Sequence, residues 1–228
     1  MENKKYEILE DDFILHEGRK LYRIKALESI YADSKKSVLR VRQGDLGGYI
    51  ERYYNLSQEG GCWIYGNAKV CGNAVVKDYS RVFSGVIISG NVRIIGRSSI
   101  AGGCNISGNA IIFNSSITSS KISGNVVLNS VSISESIMDS NSTVIGRHYI
   151  HYSILTDNSK IAINFESSSS NKAIKFLSLS ENSTLLEMYV KDLKLEDLAY
   201  ERMGNEDNSS VIYKGENNSR SISYQKLN

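Results

Sequence analysis

The groups best suited to proton transfer in this 228-residue chain are its three histidines, His16, His148 and His151. An imidazole titrates near neutral pH, so a positioned one can take or give a proton in a reaction. His148 and His151 stand together in Gly146-Arg147-His148-Tyr149-Ile150-His151 and are the candidate bases. As a metal set the three are poor. His16 lies far off in sequence, and two side chains three apart on an extended segment do not converge. Cys62, Cys71 and Cys104 show no ligand spacing and are too few for a disulfide framework. Cys104 occupies an inward, small position and reads as core, whereas Cys71 occupies an outward one and reads as a reactive surface thiol. No metal site and no cofactor is expected from these residues.

The elements that must carry them are repeats. From Gly66 the chain reads GNAKVC GNAVVK DYSRVF SGVIIS GNVRII GRSSIA GGCNIS GNAIIF. The fifth place of each hexad is Val70, Val76, Val82, Ile88, Ile94, Ile100, Ile106 and Ile112. Two places earlier stand Ala68, Ala74, Ser80, Val86, Val92, Ser98, Cys104 and Ala110, all small or β-branched. Two inward residues separated by an outward one make a short strand. Gly-Asn suits a corner, because both residues tolerate left-handed backbone angles. Gly-Asn recurs at 72, 90 and 108, so three hexads complete one coil. The predicted fold is mainly β: a three-sided, left-handed parallel β-helix whose coils bury one another's faces.

After Phe113 the register slips. Gly124-Asn125 follows Gly108-Asn109 by 16 residues, which two five-residue steps, NSSIT and SSKIS, explain. Hexads are expected to resume near Ser142, placing Val144, Ile150, Thr156 and Ala162 inward. That register puts His148 at an inward or corner place and His151 outward.

Charge divides the chain. Residues 1–60 hold 11 basic and 11 acidic side chains, 61–165 hold 8 and 4, and 166–228 hold 8 and 10. Residues 1–60 are expected to form a β-rich cap with strands at 6–9, 13–27 and 37–42 and a turn at Glu17-Gly18, because a bare solenoid end exposes unpaired edges. Residues 61–165 form the helix of coils. Residues 166–228 are expected to hold one α-helix over 184–203, capped by Ser183 or Thr184 and ended by Gly204, and then a polar tail. Trp63, at the joint of cap and first coil, reads as a packing anchor.

Within 43–70, Gly44-Asp45-Leu46-Gly47-Gly48, then Asn55, Leu56, Ser57, Glu59, Gly60, Cys62 and Trp63, resemble the start of the YdcK-like proteins of enteric bacteria and related prophage proteins. The likeness runs over roughly residues 5–113 and implies a left-handed β-helix. Some members carry an acetyltransferase label, since the same hexads build the hexapeptide-repeat acyltransferases. The resemblance therefore implies an alternative function: an acyl-CoA-dependent acyltransferase, with His148 or His151 as base and acetyl-CoA in a groove between subunits. No inserted loop flanks those histidines.

The outward residues favour another function. Hexads 72, 90 and 108 share a side, where Val75, Arg93, Ile95, Ile111 and Phe113 stack and Val127 extends the column. An exposed apolar column marks an interface, here with a protein partner or with the chain itself as a dimer or trimer. Lys69, Arg81 and Arg93, 12 apart, fall on three different sides, so no phosphate track forms and nucleic acid is not expected as partner. No apolar run approaches a membrane span, and the charged N-terminus is no secretory signal. The sequence thus reads as a non-catalytic scaffold or interaction module of the bacterial cytoplasm, phage-borne or exported without a cleaved signal.

Overall fold

The computed structural model describes residues 4–145 continuously and, beyond them, strand segments at 148–151, 154–155, 160–162, 172–175, 178–179, 184–186, 199–203, 210–215 and 218–221. It is mainly β, a parallel β-solenoid with three sheets as its sides. The first face stacks Lys69–Val70, Ile87–Ile88, Asn105–Ile106, Lys121–Ile122, Ile137–Met138, Ile154–Leu155 and Ser178–Leu179. The second stacks Val75–Val76, Arg93–Ile95, Ile111–Phe113, Val127–Asn129, Thr143–Ile145, Lys160–Ala162 and Thr184–Leu186. The third stacks Trp63–Ile64, Arg81–Val82, Ser99–Ala101, Ser116–Thr118, Ser132–Ser134, His148–His151 and Lys172–Lys175.

Every inward aliphatic of the eight hexads, from Val70 to Ile112, is fully buried. The interior is a continuous column, so each strand's apolar residue is covered by those of the turns above and below. The turns then narrow. Ile112, Ile117 and Ile122 follow at five-residue steps, as do Leu128, Ile133 and Met138, and all are buried. Only two corners shorten. Asn114 and Ser119, then Ser130 and Glu135, take the left-handed conformation there as single residues. A short corner leaves amides facing inward, and buried serines accept them: Val131 N–H donates to Ser115 Oγ at 3.1 Å and Ser136 N–H to Ser120 Oγ at 3.1 Å. The third corner keeps Gly-Asn at 72, 90, 108 and 124 and has Ser140-Asn141 in the next turn, with Ser140 left-handed. Its asparagines form a ladder in which Asn73 Nδ2 donates to Asn91 Oδ1, Asn91 to Asn109, Asn109 to Asn125 and Asn125 to Asn141, at 2.7–3.0 Å. Asn91, Asn109 and Asn125 each donate and accept once in the ladder, which links successive turns outside the sheets.

Two register expectations are corrected. Leu155, paired with Met138, is the buried residue after Ile150, not Thr156. Ile161 lies opposite Val144, one place before Ala162. Another five-residue step from Ile150 to Leu155 accounts for both.

The cap is a hairpin fused to the first face. Strand β1 (Tyr6–His16) pairs antiparallel with β2 (Arg19–Ala26) through a left-handed Glu17-Gly18 turn, the geometry that suits a two-residue hairpin. A short ladder, β3 (Ile30–Tyr31) with β4 (Leu39–Val41), follows. Strand β5 (Leu46–Ile50) pairs antiparallel with β2 and parallel with Lys69–Val70, converting one sheet geometry into the other. The remaining edge, β1, carries Glu7, Glu10, Asp11 and Asp12 and a register shift between Leu9 and Phe13. Charge and a bulge discourage further strand addition.

The helix expected over 184–203 is not supported. Thr184–Leu186 is a strand laddered on Lys160–Ala162, and Ala199–Met203 pairs antiparallel with Ser210–Gly215, which pairs with Asn218–Ser221. Residues 187–198 lie outside the described residues. An open solenoid edge offers a row of amides and carbonyls that a strand satisfies and a helix, its hydrogen bonds closed within itself, does not. The Ser167–Ser170 segment also lies outside the described residues.

Candidate functional site

The residues that carry the family-like motif are built into the joint between cap and solenoid. A Cβ on Gly47 would lie 2.7 Å from the Trp63 ring and 2.5 Å from Ile24, and one on Gly48 would lie 2.6 Å from the Ala68 carbonyl oxygen. Only glycine lets β5 approach the first turn so closely. Trp63 is buried and meets Tyr6 edge-on at 6.3 Å, as an anchor should. Asn55, wholly buried, accepts the Glu51 and Arg52 amides on Oδ1, while Nδ2 donates to the Gly72 and Ala74 carbonyls. Its side chain thus continues the second sheet where the backbone cannot.

Lys5, only 2% exposed, is the residue the sequence concealed. Its Nζ donates to the carbonyls of Glu59, Gly60 and Cys62 at 3.2–3.4 Å and to Cys62 Sγ at 3.2 Å. Burial lowers the Lys5 pKa from the ordinary lysine value and raises that of Cys62. The ammonium closes the Glu59–Cys62 bend, whose carbonyls have no strand above them. Its partners lie more than fifty residues away, so no local pattern marks it.

The predicted outward column is in register. Val75, Arg93, Ile111, Val127 and Thr143 oppose one another along the second face, as do Ile95, Phe113, Asn129 and Ile145. Val75 is 4% exposed, covered at the capped first turn, so it does not belong to the open surface. Ile111, Phe113 and Ile145 are 39%, 40% and 45% exposed. Arg93 is exposed, and Ile95 and Val127 are half-buried.

His148 and His151 bracket one strand of the third face. There His148 lies opposite Lys172, Tyr149 opposite Ser132, and His151 between Ser134 and Lys175. Ile150 between them is buried, as the register required; the two imidazoles themselves lie outside the described residues. His16 ends β1 in the cap, separate from both, with Nε2 buried and unpartnered. Cys104 is core, 1% exposed. Cys71, expected as a surface thiol, is buried with Leu21, Tyr49 and Ile14. The cap hairpin packs on this outward place, and burial raises the thiol's pKa, which disfavours the reactive thiolate. Lys69, Arg81 and Arg93 stand on the first, third and second faces respectively. No helix among the described residues is long and apolar enough to cross a membrane.

Comparison with known proteins adds one relative and no family model. A stretch of 75 residues is 40% identical to a protein of Escherichia coli (strain K12) named uncharacterized acetyltransferase YdcK. It covers 33% of this chain and 20% of that protein's length. This likeness and the parallel β-solenoid together fit a hexapeptide-repeat family.

Proposed function

We propose that this protein is an interaction solenoid whose second face docks on the same face of a second copy. The observation that carries the proposal is the exposure of Ile111, Phe113 and Ile145 on one flat side, in register across four turns. An isologous contact needs a self-complementary patch. A two-fold axis between the Ile111 and Val127 rows supplies one. It sets Ile111 on Val127, Phe113 on Asn129, Ile95 on Ile145, and Arg93 on Thr143, so like charges do not meet. Parallel ladders hold these side chains at fixed spacing, so little conformational freedom is lost on docking.

Acyl transfer is the second reading, favoured by the relative's name and by the pair His148 and His151 on one strand. In that reading one imidazole removes the acceptor's proton as the acceptor attacks the thioester carbonyl of acetyl-CoA, the C–S bond breaks, and the departing CoA thiolate takes the proton back from the imidazolium. The residues that resemble YdcK-like proteins in the cap joint support an architecture rather than a reaction, because Gly47, Gly48, Asn55 and Trp63 are all consumed in packing. Calorimetric titration with acetyl-CoA, alongside a light-scattering mass, separates the two. The interaction reading expects a dimer that takes up no acetyl-CoA at about 1 mM, where binding is worth only about 4 kcal/mol. Saturable uptake, lost together with turnover in His148→Ala or His151→Ala, would favour the enzyme.

A further inference from the structure

Where the third face meets the cap, three arginines from separate segments gather around aromatic rings. Arg40 Nη1 donates to the Tyr79 carbonyl at 3.0 Å and to the Gly61 carbonyl at 3.5 Å, which fixes the guanidinium against the first corner. Arg81 lies over the Phe83 ring with Cζ 5.4 Å from its centroid, and Arg97 lies over Tyr79 at the same distance. Phe83 in turn stacks on Tyr65, with centroids 5.0 Å apart and planes 8° apart. The rings therefore hold Arg81 and Arg97 in place. Among the described residues no carboxylate lies within salt-bridge distance of any of the three, all four ion pairs being elsewhere. Asp33, whose charge acts on Arg40 and Arg97, makes no ion pair with either and accepts from the Ser37 hydroxyl and amide. Burial and then the Arg81 charge lower the Arg40 pKa; Arg97 adds to this, and Tyr65 and Asp33 oppose it.

Three like charges set against a single carboxylate, Asp33, that lies outside ion-pair distance cost free energy that a bound anion recovers. We propose that Arg40, Arg81 and Arg97 form a binding site for the phosphate group of a small phosphorylated molecule. Three guanidiniums present more paired N–H donors than one carboxylate can use, whereas a phosphate dianion offers three strongly accepting oxygens. The site is distinct from the second-face contact and does not depend on it. Down the same face the outward residues are Ser99, Ser116, Thr118 and Ser132, hydroxyls suited to the polar remainder of such a ligand.

The test is titration with pyrophosphate, read from the backbone amide shifts of Tyr79, Phe83 and Arg97, with acetate as a second probe. Pyrophosphate should saturate, inorganic phosphate should compete with it, and binding should weaken as salt rises. Arg81→Gln and Arg97→Gln, which remove no backbone contact, should each weaken binding about tenfold, the loss of one charge-assisted hydrogen bond. Arg40→Lys should do the same while keeping a donor for the corner carbonyls. Lys69→Gln on the first face should bind as the parent does. Unchanged affinity in both Arg81→Gln and Arg97→Gln overturns the proposal, as does acetate binding as tightly as pyrophosphate. A phosphodiester oligonucleotide that binds more tightly than pyrophosphate overturns it in favour of nucleic acid.

Discussion

The second and third faces of this prism share one interior and differ outside. Inward, Ile112 and Ile117 occupy equivalent places and are both fully buried. Outward, Ile111 and Phe113 stand on the second face where Ser116 and Thr118 stand on the third. The hexad code is thus indifferent to the outward residue. What the solenoid does is written there, and what it is is written inside. Truncating the inside should show the faces as equals. Ile112→Ala and Ile117→Ala should each cost about 2–5 kcal/mol in urea unfolding, and a large gap between them would break the comparison. The outward neighbour Ile111→Ala should cost under about 1 kcal/mol.

The outside can be exchanged. Ser116→Ile with Thr118→Phe gives the third face the apolar pair of the second. A second adhesive side should raise the solution mass beyond a dimer while the β-type circular dichroism stays the same. Unchanged mass would mean that apolar exposure alone does not make a contact, which sharpens the case for the specific stack at Ile95, Ile111 and Ile145.

The smallest expected effect lies at the cap, where neither face differs. Burial works against the Glu51 carboxylate, but the Gly72 amide, Arg52 and Arg19 outweigh it and hold its pKa below the ordinary glutamate value. A depressed folded pKa gives stability that is full above the unfolded value of about 4.3 and is lost as pH falls through the folded one. Acid unfolding of Glu51→Gln should therefore be less steep below about pH 4, by under about 1 kcal/mol given the partly exposed partners.

The fold was legible because its rule is local and repeats. Eight inward aliphatics at a spacing of six, and the return of Gly-Asn every 18 residues and then after 16, sufficed to place Ile112, the two five-residue steps and Leu128. The reading failed where the rule met a competitor. Thr156 and Ala162 followed from counting sixes, but the chain steps by five to bury Leu155. Thr184–Leu186 has helical spacing around it, yet an open sheet edge takes it as a strand. Cys71 is outward in its hexad and covered all the same, because a hairpin from fifty residues earlier lies on it. The Asn ladder was visible as a spacing and missed as a network. Lys5 and Arg40 gave no signal, since their carbonyl partners are contacts between distant segments.

The central claim is that the second face joins two copies of the chain. Light-scattering mass of the parent and of the Ile95→Glu/Phe113→Glu variant tests it most directly. The account predicts a dimer for the parent and a monomer with unchanged circular dichroism for the variant. A parent that is monomeric throughout, or a variant that stays dimeric, would contradict it.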